Sequence, residues 1–581
     1  MPPAKSSPYH SIHLGKLISK KSFLSSALLR PAVRWSCIGA VALYGLATGN
    51  AAEPSPGADN GVAVQPDPVT LPFHRQAVRR FIFSNNIPLS ELVPSEIVAQ
   101  ASMHPAFASG AAATPDKTAK VVMANGTLVM GEGDTSLYVG GVNPYATYEV
   151  DVRSIQGEAE VSIDLATLGL GKRVQVVSGT KGVLLRLSKD GKTEREQVFS
   201  AKPIEPPYLL RAQLSGIYAA VFVTKDGATK YIGHTRSKED FRGFADFRDR
   251  KFASGCTFNV GSQVAPGGNV TLGGARSYLS AGVGQADIRM ITHKDGAPYW
   301  DNNRLWFTFS ARGLGIDQSA QGVMSLDPSV FDIKFEGVIV YDHGDGLLRN
   351  DYSSHITYDD DAKEWQAIAC DFGGVAGHEG RSKSGLVVAR SAHDPRRGFS
   401  VMGNARQLAD IDGMHEDPCL IFDAEARKWR LVACGFANKG IRTEVFEADK
   451  WDGPFTRIAG PTIEDSTGVL IQKMGDKRYV FSGNSAGPML IYSYPDLKPL
   501  GEMKIDLPAH WPNGPGRGWP NVFPLPPGFP FRYMALMMDR PNFPDVKGAN
   551  WSYGALHLFG AYTDDISNAP YEYPAYLSTS K

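Results

Sequence analysis

Between about residues 117 and 245, apolar and polar positions alternate with a period of two in short runs, most of them closed by Gly or Asp-Gly. The runs are TLVMG, YEVDVRS, AEVSIDL, RVQVVSG, GVLLRLSKDG, LLRAQLSG and YAAVFVTKDG. A period of two sends successive side chains to opposite faces of a strand. Each run can therefore bury one face, and a series of such runs joined by tight turns describes an antiparallel sandwich of jelly-roll type. Helix-periodic stretches are almost absent.

From about residue 250 the pattern changes. Hairpins with an aromatic residue in the second strand recur, at Trp306, Trp365, Trp429, Tyr479 and Tyr533. Two of them are near-copies. YDDDAKEWQAIACDF at 358–372 lies over FDAEARKWRLVACGF at 422–436 without a gap, at an offset of 64 residues. A further strand-like run follows each copy from the second onward. One small sheet cannot bury both of its faces, whereas radial stacking of five closes a common core, so the repeats predict a five-bladed β-propeller. The fold class read from the chain is all-β, with a sandwich at 117–245 and a propeller at 250–570. Trp365 and Trp429 are expected to pack between strands.

Aligned on these aromatics, the innermost strands begin near Asp287 (GQADIRMI), Asp351 (RNDYSSHITY), His415, Glu416 and Asp417 (MHEDPCLIF), Asp465 (EDSTGVLI) and Trp519 (GWPNVFPL). In a propeller these starts converge on a central funnel. Gathering acids there is unfavourable for stability, because like charges repel and lose water. Breaking a glycosidic bond, by contrast, needs one carboxyl to protonate the leaving oxygen and a second to activate water or attack the sugar. Asp465, beside Ser466 and Thr467, reads as a turn residue. In the third head, alternation leaves open whether Glu416 or the pair His415 and Asp417 faces the funnel.

Composition narrows the classes. The chain has 581 residues, with 60 basic and 60 acidic side chains, so no field of one sign exists to hold nucleic acid. No glycine fingerprint opens a helix after a strand, so no nucleotide or redox cofactor is implied. The five cysteines lack the paired spacing of a zinc site. Cys37 lies in the N-terminal segment; Cys419 and Cys434 either pair or are buried small apolar residues. Residues 1–52 run basic, apolar, then small, the order of a secretory signal peptide or an N-terminal anchor, with no other segment able to cross a membrane. Residues 53–116, rich in Ala, Pro, Ser and Gly, read as a flexible linker. A periplasmic or secreted protein is expected.

The third strands VARSAHDP and VFEADKWDGPF, with acids at successive blade heads, resemble the arabinanase/xylosidase-type five-bladed propeller glycoside hydrolases over about 280–565. The KDG hairpins of the first domain loosely resemble the concanavalin-like sandwiches that accompany such enzymes. This resemblance implies an inverting hydrolase acting on an oligo- or polysaccharide, with Asp287 as base, Asp351 as the residue orienting the acid, and Glu416 as acid. His415 is the rival for the acid role. It also implies substrate contacts from Arg289, Trp519, Arg540, His355 and Asp417, no required cofactor, and an optional structural calcium near a funnel histidine such as His557. The loop 377–385, with His378, Glu379, Arg381 and Lys383, reads as a solvated hairpin or as a pocket rim. Two alternatives stand: a propeller lyase acting on an acidic glycan, and a non-catalytic carbohydrate-binding protein.

Overall fold

The computed structural model describes residues 65–92, 112–113, 120–543 (apart from 125, 312, 315–317, 378–379, 409, 438–439, 485–486, 507–518, 527–528 and 530), 546 and 553–561. The N-terminal segment 1–52 read as a signal or anchor lies outside the described residues. None of the helices among them is long and apolar enough to cross a membrane.

Alternating runs become strands, and the strands form two sheets of a sandwich. One sheet orders Lys192–Ser200, Gly182–Lys189, Lys172–Gly179, Ala159–Thr167, Cys256–Val264, Gly133–Gly141 and Ala112–Ala113. The other orders Ala228–His234, Ala219–Lys225, Tyr208–Leu214, Thr147–Gln156, Asn269–Leu279, Thr127–Met130 and Val121–Ala124. The sandwich thus does not end at 245: Cys256–Val264 and Asn269–Leu279 sit in the middle of its two sheets. Their alternation is diluted by Gly, Ser and Asn, which hid them from the period-two reading. Two short helices, Lys238–Phe244 and Arg250–Ser254, precede these strands. Asp249 caps the second by accepting from the amides of Lys251 and Phe252.

Five mainly antiparallel sheets follow, and the contacts between their innermost strands run in a closed circle. Those strands are Gln285–Met290, Tyr352–Asp359, His415–Asp423, Thr467–Met474 and Asn521–Pro524. The fold is the five-bladed propeller that the repeat predicts. Apolar residues fill the seams between blades: Ile291, Trp306 and Trp365 between blades 1 and 2, Trp429 and Leu431 between 2 and 3, Val432 and Val469 between 3 and 4, and Phe481 and Met537 between 4 and 5. Trp365 and Trp429 are core residues, as expected.

Blade 5 holds a correction to the linker reading. Its outermost long strand is Pro72–Arg80, which pairs antiparallel with Tyr553–Ala561. Phe73, 1% exposed, enters the core between blades 4 and 5. The segment was misread because its buried residues, among them Leu71, Phe73, Phe81, Phe83 and Leu89, are few and widely spaced, while its Arg and Gln side chains face out. An N-terminal strand added to the C-terminal blade closes the ring and removes an open edge.

The sandwich and the propeller share one apolar core. Tyr145 donates to the Leu348 carbonyl at 2.8 Å and stacks on Phe399. Ser215 donates to the Gln318 carbonyl at 3.0 Å. Cys256, Cys370, Cys419 and Cys434 are free and buried, so Cys419 and Cys434 take the packing role and not the disulfide.

Candidate active site

Four innermost strands share one irregularity at their heads. Against the second strand of each blade, two residues oppose one between Ala286 and Arg289, between Tyr352 and His355, between Glu416 and Cys419, and between Thr467 and Leu470. The first bulged residue is in each case left-handed: Asp287 (φ 51), Ser353 (φ 55), Asp417 (φ 57) and Gly468 (φ 63). A bulge of this kind normally takes glycine, and it re-aims the side chain at that point. Three non-glycine residues in left-handed geometry store about 1–3 kcal/mol each, which is the signature of positions kept for what their side chains do.

The bulge fixes which residues are equivalent. Asp287 corresponds to Ser353, Asp417 and Gly468. Asp351 corresponds to His415, one step before the strand position of Glu416, as the 64-residue offset indicates. Arg289, His355 and Cys419 are equivalent positions just inside the bulge.

These heads interlock. Asp417, 7% exposed, accepts from Ser353 Oγ at 3.2 Å, Thr467 Oγ1 at 3.0 Å and the Gly468 amide at 3.1 Å. Arg289 donates to the carbonyls of Val469 at 2.6 Å and Asp417 at 3.2 Å, and lies 4.8 Å from the Trp519 ring centroid. Gly468 packs so closely that an added Cβ would fall 2.7 Å from Trp519 Cδ1. All five blades are joined at this level.

Asp287 is buried, accepts from Ser310 Oγ at 2.5 Å, and donates its amide to Met538 Sδ. Burial, followed by the like charge of Asp417 and then of Glu416, pushes its carboxyl well above the ordinary carboxylate range; the Ser310 hydrogen bond and the Arg289 cation work against this. Glu416 is partly open to solvent and takes a 2.5 Å ion pair from Arg381. The same guanidinium binds Asp371 at 2.8 Å, donates to the carbonyls of Gly385 and His415, and lies 4.5 Å from the Phe372 centroid. The loop that carries Arg381 is therefore a built part of the site and not a free hairpin; His378 and Glu379 lie outside the described residues.

Asp287, Asp417 and Glu416 are thus brought together, with Arg289 and Arg381 as their cations. Several other expectations are corrected. Asp351 is fully buried beside blade 2, accepting from His343 Nε2 at 2.9 Å and the Gly373 amide at 2.9 Å. Burial raises its carboxyl against the His343 hydrogen bond. His415 turns into its own blade: Nε2 meets Glu444 at 2.8 Å and the ring packs edge-on to Phe446. Burial opposes ionisation of Glu444, but hydrogen bonds from His415 and Arg457 hold it below the usual range.

Arg289 gives both terminal nitrogens to backbone carbonyls inside the ring, and Trp519, 2% exposed, packs under Arg289 and against Gly468. Neither presents a free face to a sugar. His355 accepts from the Leu420 amide at Nδ1, which places its proton on Nε2 toward Thr292 Oγ1. Burial and the Arg289 charge lower it well below the ordinary imidazole range. With both nitrogens engaged and a guanidinium alongside, the centre of the ring does not fit a calcium ion. Among the described residues no group of three or more His, Cys, Asp or Glu side chains is placed to hold a metal. His557 is buried in the third strand of blade 5 with its ring stacked on Phe559. Arg540 lies in the preceding strand, and its side chain lies outside the described residues.

Asp371 is the site residue that sequence reading passed over, while Arg381 was singled out only as one member of a loop that could rim the pocket. The sign was present in the repeat, where ACDF stands in one copy and ACGF in the other: the acid falls opposite Gly435.

No protein-family model matches the chain, and no curated protein matches it. Among solved structures it is similar to an endo-1,4-β-xylanase of Bacteroides thetaiotaomicron (12% identity, 47% of this chain and 90% of that one, TM-score 0.30). It is also similar to a family 117 glycoside hydrolase of Zobellia galactanivorans (12% identity, 51% and 92%, TM-score 0.32). The carbohydrate-binding module CBM66 of Bacillus subtilis overlaps 29% of this chain and 96% of its own at 12% identity and a TM-score of 0.22.

Proposed function

We propose that the chain is an exported glycoside hydrolase, with Asp287 as the general base and Glu416 as the general acid. The observation that carries this reading is the confinement of Asp287, Asp417 and Glu416 at the blade heads, where Asp287 feels both other carboxylates through buried surroundings. Such a cluster weakens the fold, and perturbed carboxyls gathered in this way are a mark of functional sites. A raised carboxyl is a stronger base once ionised, which suits activation of water at an anomeric carbon. Asp417, fixed by three donors, supplies the charge that keeps Asp287 basic. Arg381, shared between Glu416 and Asp371, orients the acid. The substrate is an oligo- or polysaccharide, cleaved with inversion when a water lies between the two carboxyls.

The test separates acid from base. Protonation matters when the leaving group is a sugar and little when it is an activated phenol. Glu416→Gln should lower hydrolysis of oligosaccharides by about 10²–10⁴-fold yet retain most activity on a dinitrophenyl glycoside. Asp287→Asn should abolish both. Equal losses on the two substrates in both variants would remove the assignment. Release of an unsaturated, near-ultraviolet-absorbing product would make the protein a lyase instead. Binding without turnover, left unchanged by both variants, would leave a binding protein.

A further inference from the structure

At their heads the innermost strands of the propeller pair on one side only. The free edge of each presents amides that no ladder satisfies, and a bulge adds one more. Where such amides are buried, each needs an acceptor from the protein. Around the ring, side chains of the preceding blade supply acceptors. Asn521 Oδ1 accepts from the Met290 amide at 3.2 Å, Gln321 Oε1 from Ser354 at 2.9 Å and His355 Nδ1 from Leu420 at 2.9 Å. Three further acceptors are sulfur atoms. Met538 Sδ takes the Asp287 amide at 3.1 Å, Cys370 Sγ the Asp417 amide at 3.4 Å and Cys419 Sγ the Ile471 amide at 3.5 Å.

Two of these sulfurs sit on the bulges that carry carboxyls. Asp287 and Asp417 are left-handed there, a geometry that persists only where the surroundings over-determine it. Met538 and Cys370 are buried, and each belongs to the second strand of the neighbouring blade, so the contact crosses the seam between blades. Packing alone would be served as well by Leu or Ala, which accept nothing. A sulfur atom is a weak acceptor, yet it fits an apolar seam and brings no charge to a place where carboxyls already crowd. Burial pushes the Cys370 thiol well above its ordinary range; Arg381 works against this, and Glu416 and Asp417 add to it. The thiol therefore stays neutral beside the acids.

We infer that Met538 and Cys370 are positioning residues of the hydrolase: their sulfur atoms hold the bulge amides of Asp287 and Asp417, and so aim the two carboxyls. Met538 acts on the base, and Cys370 on the acid that keeps the base strong. The inference rests on the hydrolase reading above, and adds to it two side chains that work through the backbone of others.

Paired replacements in the full chain separate an acceptor from a space-filler. Met538→Leu and Cys370→Ala remove the acceptor, whereas Met538→Gln and Cys370→Ser keep one. Leu for Met conserves volume and is among the mildest of core exchanges, while a buried amide or hydroxyl is the harsher change for stability. On a dinitrophenyl glycoside, Met538→Leu should lower kcat by about 10–10²-fold with KM within about twofold of the wild type, because the base is misplaced and the sugar still binds. Met538→Gln should recover most of that loss although it melts no higher than Met538→Leu. Cys370→Ala and Cys370→Ser should repeat the pattern. Near-ultraviolet circular dichroism confirms folding, and the Met538 pair decides if the Cys370 variants do not fold. Losses that follow the order of melting temperatures, equal losses within a pair, or full turnover by Met538→Leu would overturn the inference. A second readout needs no turnover. Asp287→Asn should raise the melting temperature at pH 8 less in a Met538→Leu background than in the wild type, because a carboxyl released from its bulge is no longer pressed against Asp417. An unchanged increment overturns the inference whether or not a glycoside is cleaved. A reduced increment in a protein that cleaves no glycoside strikes the hydrolase reading alone and upholds the hold of Met538 on Asp287.

Discussion

Asp287 is destabilising as a carboxylate and silent as an acid, and that asymmetry has a measurable sign. Its folded-state pKa lies above the unfolded value, so the native state binds the proton more tightly. Its contribution is intact below the unfolded pKa, near 4, and is lost as pH rises through the raised folded value, at about 1.4 kcal/mol for each tenfold by which folding weakens the acid. Asp287→Asn removes the ionisable group. The variant should melt above the wild type at pH 8 by a few degrees, and the gap should close as the pH falls toward 4. A gap that widens in acid would show that Asp287 is paired and not crowded. The residue scale is also where sequence reading met its limit. Asp287 and Glu416 were legible because acids at strand starts have few structural reasons to recur. The roles of Asp351, His415 and Trp519 were not, because they depend on which side of a bulge a side chain leaves the strand, and one residue of phase reverses it.

Bulges recur as elements in four of the five blades, and each places a different group: carboxyls at Asp287 and Asp417, a supporting hydroxyl at Ser353, and close packing at Gly468. Gly468→Ala tests the last. The new methyl would meet Trp519 at 2.7 Å, from a backbone at φ 63, and Trp519 could retreat only by leaving Arg289. A loss of about 2–4 kcal/mol is expected from clash and strain together, read as a lower denaturant midpoint with an unchanged slope. Stability within about 0.5 kcal/mol of the wild type would mean that blade 5 is loosely seated. Repetition made the blades readable, since Trp365 and Trp429 mark the same strand twice. It did not reveal the bulges, because Asp, Ser, Asp and Gly share no pattern beyond their tolerance of left-handed geometry.

At the scale of the whole molecule, composition shifts misplaced the boundaries. A polar edge strand and two glycine-rich central strands look like linkers when burial cannot be seen. The consequence can be checked by expression. A chain started at residue 250 carries Cys256–Val264 and Asn269–Leu279 without their sandwich neighbours, exposing Phe258, Val260, Val270 and Leu272. It also lacks Pro72–Arg80, so the Tyr553–Ala561 strand keeps an open edge. It should be insoluble or aggregate, whereas a chain started at 65 should fold. Phe73→Ala, in the full chain, should remove about 3–5 kcal/mol through the cavity it leaves between blades 4 and 5, measured by chemical denaturation.

Closure by Pro72–Arg80 also dictates an order of assembly. A strand made early must wait while the sandwich and four blades emerge from the ribosome, because its mate at 553–561 is among the last segments translated. Until then the disc is a horseshoe, and the opposed acids at its middle are not yet held against one another. A cell that exports this chain unfolded would delay that latch until after translocation, so the closed ring would come into being only outside the compartment of synthesis.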